Sequence, residues 1–261
     1  MLIFNCTKAA CDFFSKTTAG TQFSPVIAPP NPRIEQDIHN VVDEQGNTPR
    51  LSQWLVHAII VDRKYCLIAM EVNTRFSMTF SDLIRGDSET FVNLFTERLL
   101  NNMYWLGEQL GIFDPAFFPI MTDSFLSEHD GIAFFKRSDR SVQGHINDVL
   151  RYFREQSEEI GLLPNDHEQA MAFDEMVNQI QRSSKASTQY FFPEVGMLGQ
   201  WMQEYCDGNA EDLNIIRDSF RQLRSEQVFA DNAPSCIDDS QALPPPDNVV
   251  SLCEFRKKQQ K

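Results

Sequence analysis

The chain has 261 residues, 42% of them hydrophobic and 21 of them Phe, enough to bury a core without disulfide staples and too apolar for wholesale disorder. Lys and Arg number 23 against 37 Asp and Glu, a net charge of −14 that repels phosphate backbones and anionic lipid, so direct DNA binding and membrane binding are not expected. No apolar run approaches the ~18–20 residues that span a bilayer.

The six cysteines are scattered and form no CxxC pair, which fits reduced thiols in a cytoplasm better than a zinc site or a stapled secreted domain. The opening run Leu2 to Cys6 is apolar, without a basic leader, and is predicted as a strand; Thr7 can cap a short helix through Phe13 and Phe14. From Gly20 to Arg50, five prolines and scattered charges predict a long surface excursion with one helical turn near Ile34–Val42.

The clearest patterning follows. Trp54–Val61 is strand-like, Asp62-Arg63-Lys64 is a polar turn, and Tyr65 to Met70 is a continuous apolar run of the kind found in strands covered on both faces. After the Asn73-Thr74 turn, Phe76, Met78 and Phe80 alternate with Arg75, Ser77 and Thr79 on the other face. Together these predict an antiparallel meander. Ser88 can cap a helix whose stripe runs from Phe91 to Leu110, with Gly111 as its stop. Ile120–Leu126 and Gly131–Lys136 read as a further strand pair, and Ser138 or Asp139 opens a long helix buried at Val142, Ile146, Val149, Leu150 and Phe153. Three amphipathic helices follow, around Ala170–Ile180, Val195–Tyr205 and Leu213–Leu223, before a proline-rich stretch.

The fold class expected is therefore α+β: an antiparallel sheet of five or six strands, one face covered by the helices near 88–110 and 140–161, with an acidic C-terminal helical extension. The boundaries are 1–182 for the α+β domain, 183–224 for the helical extension and 225–261 for a disordered tail. Charge follows this division. Residues 148–247 hold 19 acidic and 7 basic side chains, a net of −12.

Residues Arg140 to Asp148 form the most specific local signal. Arg140, Gly144, Asn147 and Asp148 stand at offsets that share one side of a helix. A mid-helix Gly costs about 1 kcal/mol relative to Ala, so Gly144 asks for close backbone approach or for room for a ligand. In the functional reading, Arg140 grips a carboxylate or phosphate with His145, Asn147 and Asp148 beside it and Arg75 opposite. In the structural reading, the helix packs tightly on the sheet at Gly144. Trp54 is expected as a core anchor.

The Trp54-led strand, the Arg63-Lys64 turn, Thr74 after the next strand and the segment Arg140-Ser141-Val142-Gln143-Gly144-His145-Ile146-Asn147-Asp148 resemble a family of small bacterial proteins known as a domain of unknown function, number six-nine-three-three. The resemblance covers residues 1 to about 182 and implies a fold without an established activity. His57 and Asp62 depart from it, standing where Asn is expected.

No GxSxG elbow, phosphate-binding GxxxxGK[ST] loop, GxGxxG turn or HExxH helix occurs, and no cofactor or metal is expected. The leading functional expectation is a non-enzymatic, cytoplasmic interaction or regulatory module whose partner is another protein, one with a basic surface. An acidic inhibitor or antitoxin occupying a basic nucleic-acid channel is the alternative, with Glu158, Glu159, Asp174 and Glu175 facing the partner. An enzyme built around an anion-recognising pocket at Arg140 and Asp148 is the second alternative.

Overall fold

The structure, a computed structural model, describes residues 1–39, 50–160, 163–164, 167–184 and 187–231. The first part of the chain forms β1 (Leu2–Cys6), α1 (Lys8–Phe14), β2 (Lys16–Thr18), β3 (Thr21–Phe23), β4 (Val26–Ile27) and a 3-10 turn (Ile34–His39). The meander β5 (Ser52–Val61), β6 (Lys64–Glu71) and β7 (Ser77–Ser81) leads into α2 (Ser88–Gln109), α3 (Phe117–Glu128) and β8 (Ile132–Lys136). The remainder is α4 (Arg140–Ile160), α5 (His167–Asn178), the hairpin β9 (Arg182–Ser184) and β10 (Ser187–Phe191), α6 (Pro193–Tyr205) and α7 (Ala210–Asp231).

The α+β class and the six-stranded sheet are as the patterning predicts, and β5, β6 and β7 form the expected antiparallel meander. Asp62 and Arg63 both hold positive φ (50° and 65°), the geometry a two-residue hairpin loop requires. The sheet is nevertheless mixed, in the order β4-β8-β1-β5-β6-β7. β1 runs parallel to both β5 and β8, and β4 runs parallel to β8. The long connections before β5 and β8 supply the crossovers that parallel pairing needs.

Both faces of the sheet are covered. Phe4, Trp54, Val56, Leu67, Ala69, Met78 and Phe80 share one core cluster with α2, α3 and α6. Leu55, Cys66, Ile68 and Met70 share the other with α4 and α5. The helices near 88–110 and 140–161 thus lie on opposite faces, which is what the unbroken apolar run of β6 demands. Trp54 is the expected anchor: it is fully buried, meets Phe95 edge-on at 4.7 Å between ring centroids, and donates Nε1 to Ser52 Oγ at 2.9 Å.

The segment Ile120–Leu126 is helical, not a strand. Asp114 Oδ1 accepts from the N–H groups of Ala116 and Phe117, starting the helix, and Phe118, Met121 and Phe125 are buried at helical spacing. The expected helical extension at 183–224 contains the β9–β10 hairpin. Its helices place Met197, Leu198, Trp201, Ile216 and Phe220 in the same core cluster as the sheet. Of the expected tail, 232–261 lies outside the described residues, as do 40–42 of the turn near Ile34 and both Cys236 and Cys253. The other four cysteines are free.

The outer strand β7 is closed by side chains. Asp174 Oδ1 accepts from Thr79 N–H (2.8 Å) and Thr79 Oγ1 (3.1 Å), while Arg98 donates to the Thr79 carbonyl (2.7 Å) and to Asp174 Oδ2 (3.3 Å). One turn along α5, Asn178 accepts from Ser77 N–H and donates to the Ser77 carbonyl, each at 2.8 Å. Ser77 and Thr79 therefore face a helix, and α5 is fastened to the strand by hydrogen bonds a seventh strand would otherwise make.

Asp174→Ala leaves Arg98 buried without its carboxylate and is expected to cost about 3–5 kcal/mol of stability in urea denaturation, with Asp174→Asn milder. A second measurement tests the α3–α6 seam, where His129 Nε2 lies 2.6 Å from Tyr205 Oη and Phe125 stacks on Trp201. Burial pushes the His129 pKa down to about 4, so between about pH 6.5 and 4 the unfolded chain takes a proton there that the folded chain refuses. Acidification through that window is expected to remove about 3 kcal/mol through this group, and His129→Gln should flatten the profile of stability against pH.

Candidate functional site

The start of α4 is fixed by Asp139, whose Oδ1 accepts from Val142 N–H at 2.9 Å. The apolar stripe from Val142 to Phe153 is buried on the sheet, which turns Arg140, Gly144, Asn147 and Asp148 together to the exposed side. The predicted shared side is therefore present. Asn147 is occupied only by Gln143 Nε2, at 3.2 Å. Among the described residues, Arg140 makes no hydrogen bond or ion pair. A Cβ at residue 144 would meet no heavy atom within 4 Å, so Gly144 is not a point of tight packing.

Arg75 reaches this helix from the β6–β7 turn. Buried Glu71 organises that turn by accepting from the N–H groups of Asn73 and Thr74 and from Thr74 Oγ1. Burial raises the pKa of Glu71 and these hydrogen bonds oppose the rise. Arg75 follows in the left-handed region, with φ 62°, and is 7% exposed. Its Nη2 donates to Ser141 Oγ at 3.3 Å, while Nε and Nη1 are buried without an acceptor. Burial lowers its pKa, against the attraction of Glu71 and Asp139, neither of which reaches it as an ion pair.

Arg182 completes the arrangement from the first position of β9. It is 3% exposed, places Nη1 3.7 Å from Asp148 Oδ2, donates Nη2 to the Val177 carbonyl at 3.4 Å, and leaves Nε without an acceptor. His145 lies 2.8 Å through Nε2 from the Ser183 carbonyl oxygen and 4.0 Å through Nδ1 from Asp148 Oδ2. Because the carbonyl can only accept, the proton of the neutral ring belongs on Nε2. Burial first, then the charges of Arg182 and Arg75, lower the pKa of His145.

Of the five predicted binding residues, the structure gathers Arg75, His145 and Asp148 and leaves Arg140 and Asn147 apart from them. Arg182 is the functional candidate that sequence reasoning missed, and no local pattern marks it. The predicted partner-facing acids divide as well. Glu158 and Glu159 are exposed on α4, Glu175 is half-buried beside Gln179, and Asp174 is fully buried under β7. Asp174 is therefore not a surface charge. At the two departures from the family pattern, His57 Nδ1 lies 3.0 Å from Thr7 Oγ1, and Asp62 accepts from Ser157 Oγ at 3.3 Å.

Among the described residues, no three His, Cys, Asp or Glu side chains are grouped to hold a metal ion, and no helix is long and apolar enough to cross a membrane. The fold is that of an α+β protein with a mixed sheet covered on both faces, and two buried arginines meet α4, Arg75 at Ser141 and Arg182 at Asp148. The family model for a domain of unknown function (DUF6933) matches residues 3–195, and the chain belongs to that family. The matched region contains Trp54, the Asp62-Arg63-Lys64 turn, Arg75, the Arg140–Asp148 segment and Arg182, and it runs on into α6. No curated protein matches the chain significantly.

With open space at its Cα, Gly144→Ala is expected to stabilise the ligand-free protein by about 0.5–1 kcal/mol, measured by thermal or urea unfolding. Destabilisation would restore the tight-packing reading.

Proposed function

We propose that this chain is a regulatory binding module of the cytoplasm that recognises a small anion, a carboxylate or a phosphate, between Arg75 and Arg182. The observation that carries the reading is the pair of guanidinium groups, each more than nine-tenths buried and each with N–H groups lacking any acceptor. A buried donor left unpaired costs about 1–3 kcal/mol, more when charged, and an anion is the acceptor that Arg75 Nε and Nη1 and Arg182 Nε lack. Ser141 and His145 border the same place. His145 spends its Nε2 proton on a backbone carbonyl, and Ser141 Oγ is an acceptor for Arg75. That arrangement supports recognition over turnover, because no hydroxyl is paired with the imidazole. The acidic-inhibitor alternative is weaker: its face keeps Glu158 and Glu159, but Arg151 and Arg154 are exposed on the same helix.

The test is thermal unfolding with phosphate, sulfate and citrate, followed by titration calorimetry. A binding anion should raise the melting temperature with concentration, by the equivalent of about 2.7 kcal/mol at a hundredfold excess over Kd. Arg75→Met removes an unpaired buried charge. It is expected to leave the ligand-free protein as stable or more stable while abolishing the anion response. If no anion raises the melting temperature and Arg75→Met destabilises the protein, Arg75 is structural and the proposal fails.

A further inference from the structure

A second concave site lies away from the Arg75–Arg182 cluster, and its chemistry differs. It is an open cleft of about 1150 Å³ bounded by β10, α6, α7 and the start of the meander. In a chain of net charge −14, four arginines line it, Arg50, Arg217, Arg221 and Arg224, together with one acid, Glu204. The last three stand at offsets 0, 4 and 7 on α7, so they form one ridge along the helix.

These arginines are not equally committed. Arg224 is tied down, with Nη1 2.7 Å from Glu194 Oε1 and its guanidinium 3.7 Å from the centre of the Phe192 ring. Arg221 is paired with Asp218 at 2.7 Å on the exposed helix surface. Arg50 stands 3.8 Å from Glu128, a loose exposed contact. Arg217 is exposed and makes no ion pair among the described residues.

Beside the cations is an aromatic wall. Tyr190 lines the cleft and is 71% exposed, a large ring that covers little of the protein itself. Gln200 and Gln203 of α6 also line the cleft, as does Asn73 from the β6–β7 turn, whose amide donates to Glu71 at 3.4 Å. Gly196 and Gly199 let the helix lie close to its neighbours: a Cβ at 199 would stand 3.2 Å from Leu213 Cδ2, and one at 196 would stand 3.4 Å from Thr74 Cβ. The cleft is thus held between well-packed elements. An exposed ring, amide side chains, an unspent guanidinium at Arg217 and a loosely held one at Arg50 are contacts that a planar heterocycle carrying phosphate would use.

We infer that this cleft binds a nucleoside phosphate, with the base against Tyr190 and the phosphates on Arg217 and Arg50. The charge balance favours a single nucleotide over a polymer. Arg217 and Arg50 can each meet a phosphate, whereas the strongly acidic remainder of the chain repels the continuing backbone of a nucleic acid. The inference is independent of the Arg75 site, and α7 lies beyond the family match, so the cleft is in part a feature of this chain's own C-terminal segment.

The probe is ADP, titrated calorimetrically into the full chain at physiological salt, with adenosine, inorganic phosphate and a short single-stranded oligonucleotide in parallel. ADP is expected to bind saturably and at least tenfold more tightly than adenosine, and at least tenfold more tightly than phosphate binds the Arg75→Met protein. Arg217→Ala and Tyr190→Ala, both at exposed positions, should each weaken it at least tenfold. Arg75→Met should leave ADP affinity unchanged, which separates failure here from failure of the first site. Absence of saturable ADP binding would overturn the inference. So would an affinity unchanged in either cleft variant or lost in Arg75→Met, adenosine binding as tightly as ADP, phosphate binding the Arg75→Met protein as tightly as ADP does, or the oligonucleotide binding more tightly than ADP.

Discussion

The docking of α5 along β7 is the constraint on which the rest of the molecule depends. An edge strand presents unpaired N–H and C=O groups, and here Asp174 and Asn178 answer them from successive turns of a helix. That choice fixes α5 in both direction and register. Four residues past Asn178 the chain reaches Arg182, so the hydrogen bonds at Ser77 and Thr79 also determine where the second buried guanidinium lies. The polar site on α4 is in this sense built from the far edge of the sheet.

The same arrangement explains how far the sequence could be read. The meander was legible because Tyr65–Met70 and Phe76–Phe80 carry strand periodicities whose burial needs no distant knowledge. The α4 stripe was legible for the same reason, as was the common side of Arg140, Gly144, Asn147 and Asp148. Ile120–Leu126 misled because a short apolar segment satisfies strand and helix alike. Its helical identity rests on the Asp114 cap and on Phe118, which lies before the segment. The parallel pairing of β1 left no trace in its five residues. Arg182 was invisible because nothing around it is periodic, and its meaning comes wholly from Asp148, Val177 and burial. Asp174 misled in the opposite direction: an acid on an amphipathic helix reads as solvated unless the strand that consumes it is known.

Charge totals also conceal geometry. The helical half of the chain is strongly acidic, yet three of its seven basic residues stand on one ridge of α7, along the cleft bounded by α6 and β10. Net charge governs how the molecule meets others at a distance, while at close range the individual arginines of the cleft are what a ligand meets. A ligand small enough to lie within the cleft experiences the arginines more than the surrounding acids. A long polyanion experiences the whole.

The position of β1 carries a consequence for how the chain reaches this structure. Its five residues lie between β5 and β8, with partners at Ser52–Val56 on one side and Ile132–Lys136 on the other. β1 is therefore an interior strand of the finished sheet whose partners both follow it in the chain, and it cannot be completed until residues 132–136 have emerged. During that interval Leu2, Ile3 and Phe4 stay without their final neighbours, exposed to capture by chaperones or by other nascent chains. The meander, made of contacts near in sequence, is suited to form early and serve as the template on which β1 is laid and to which β8 is then added.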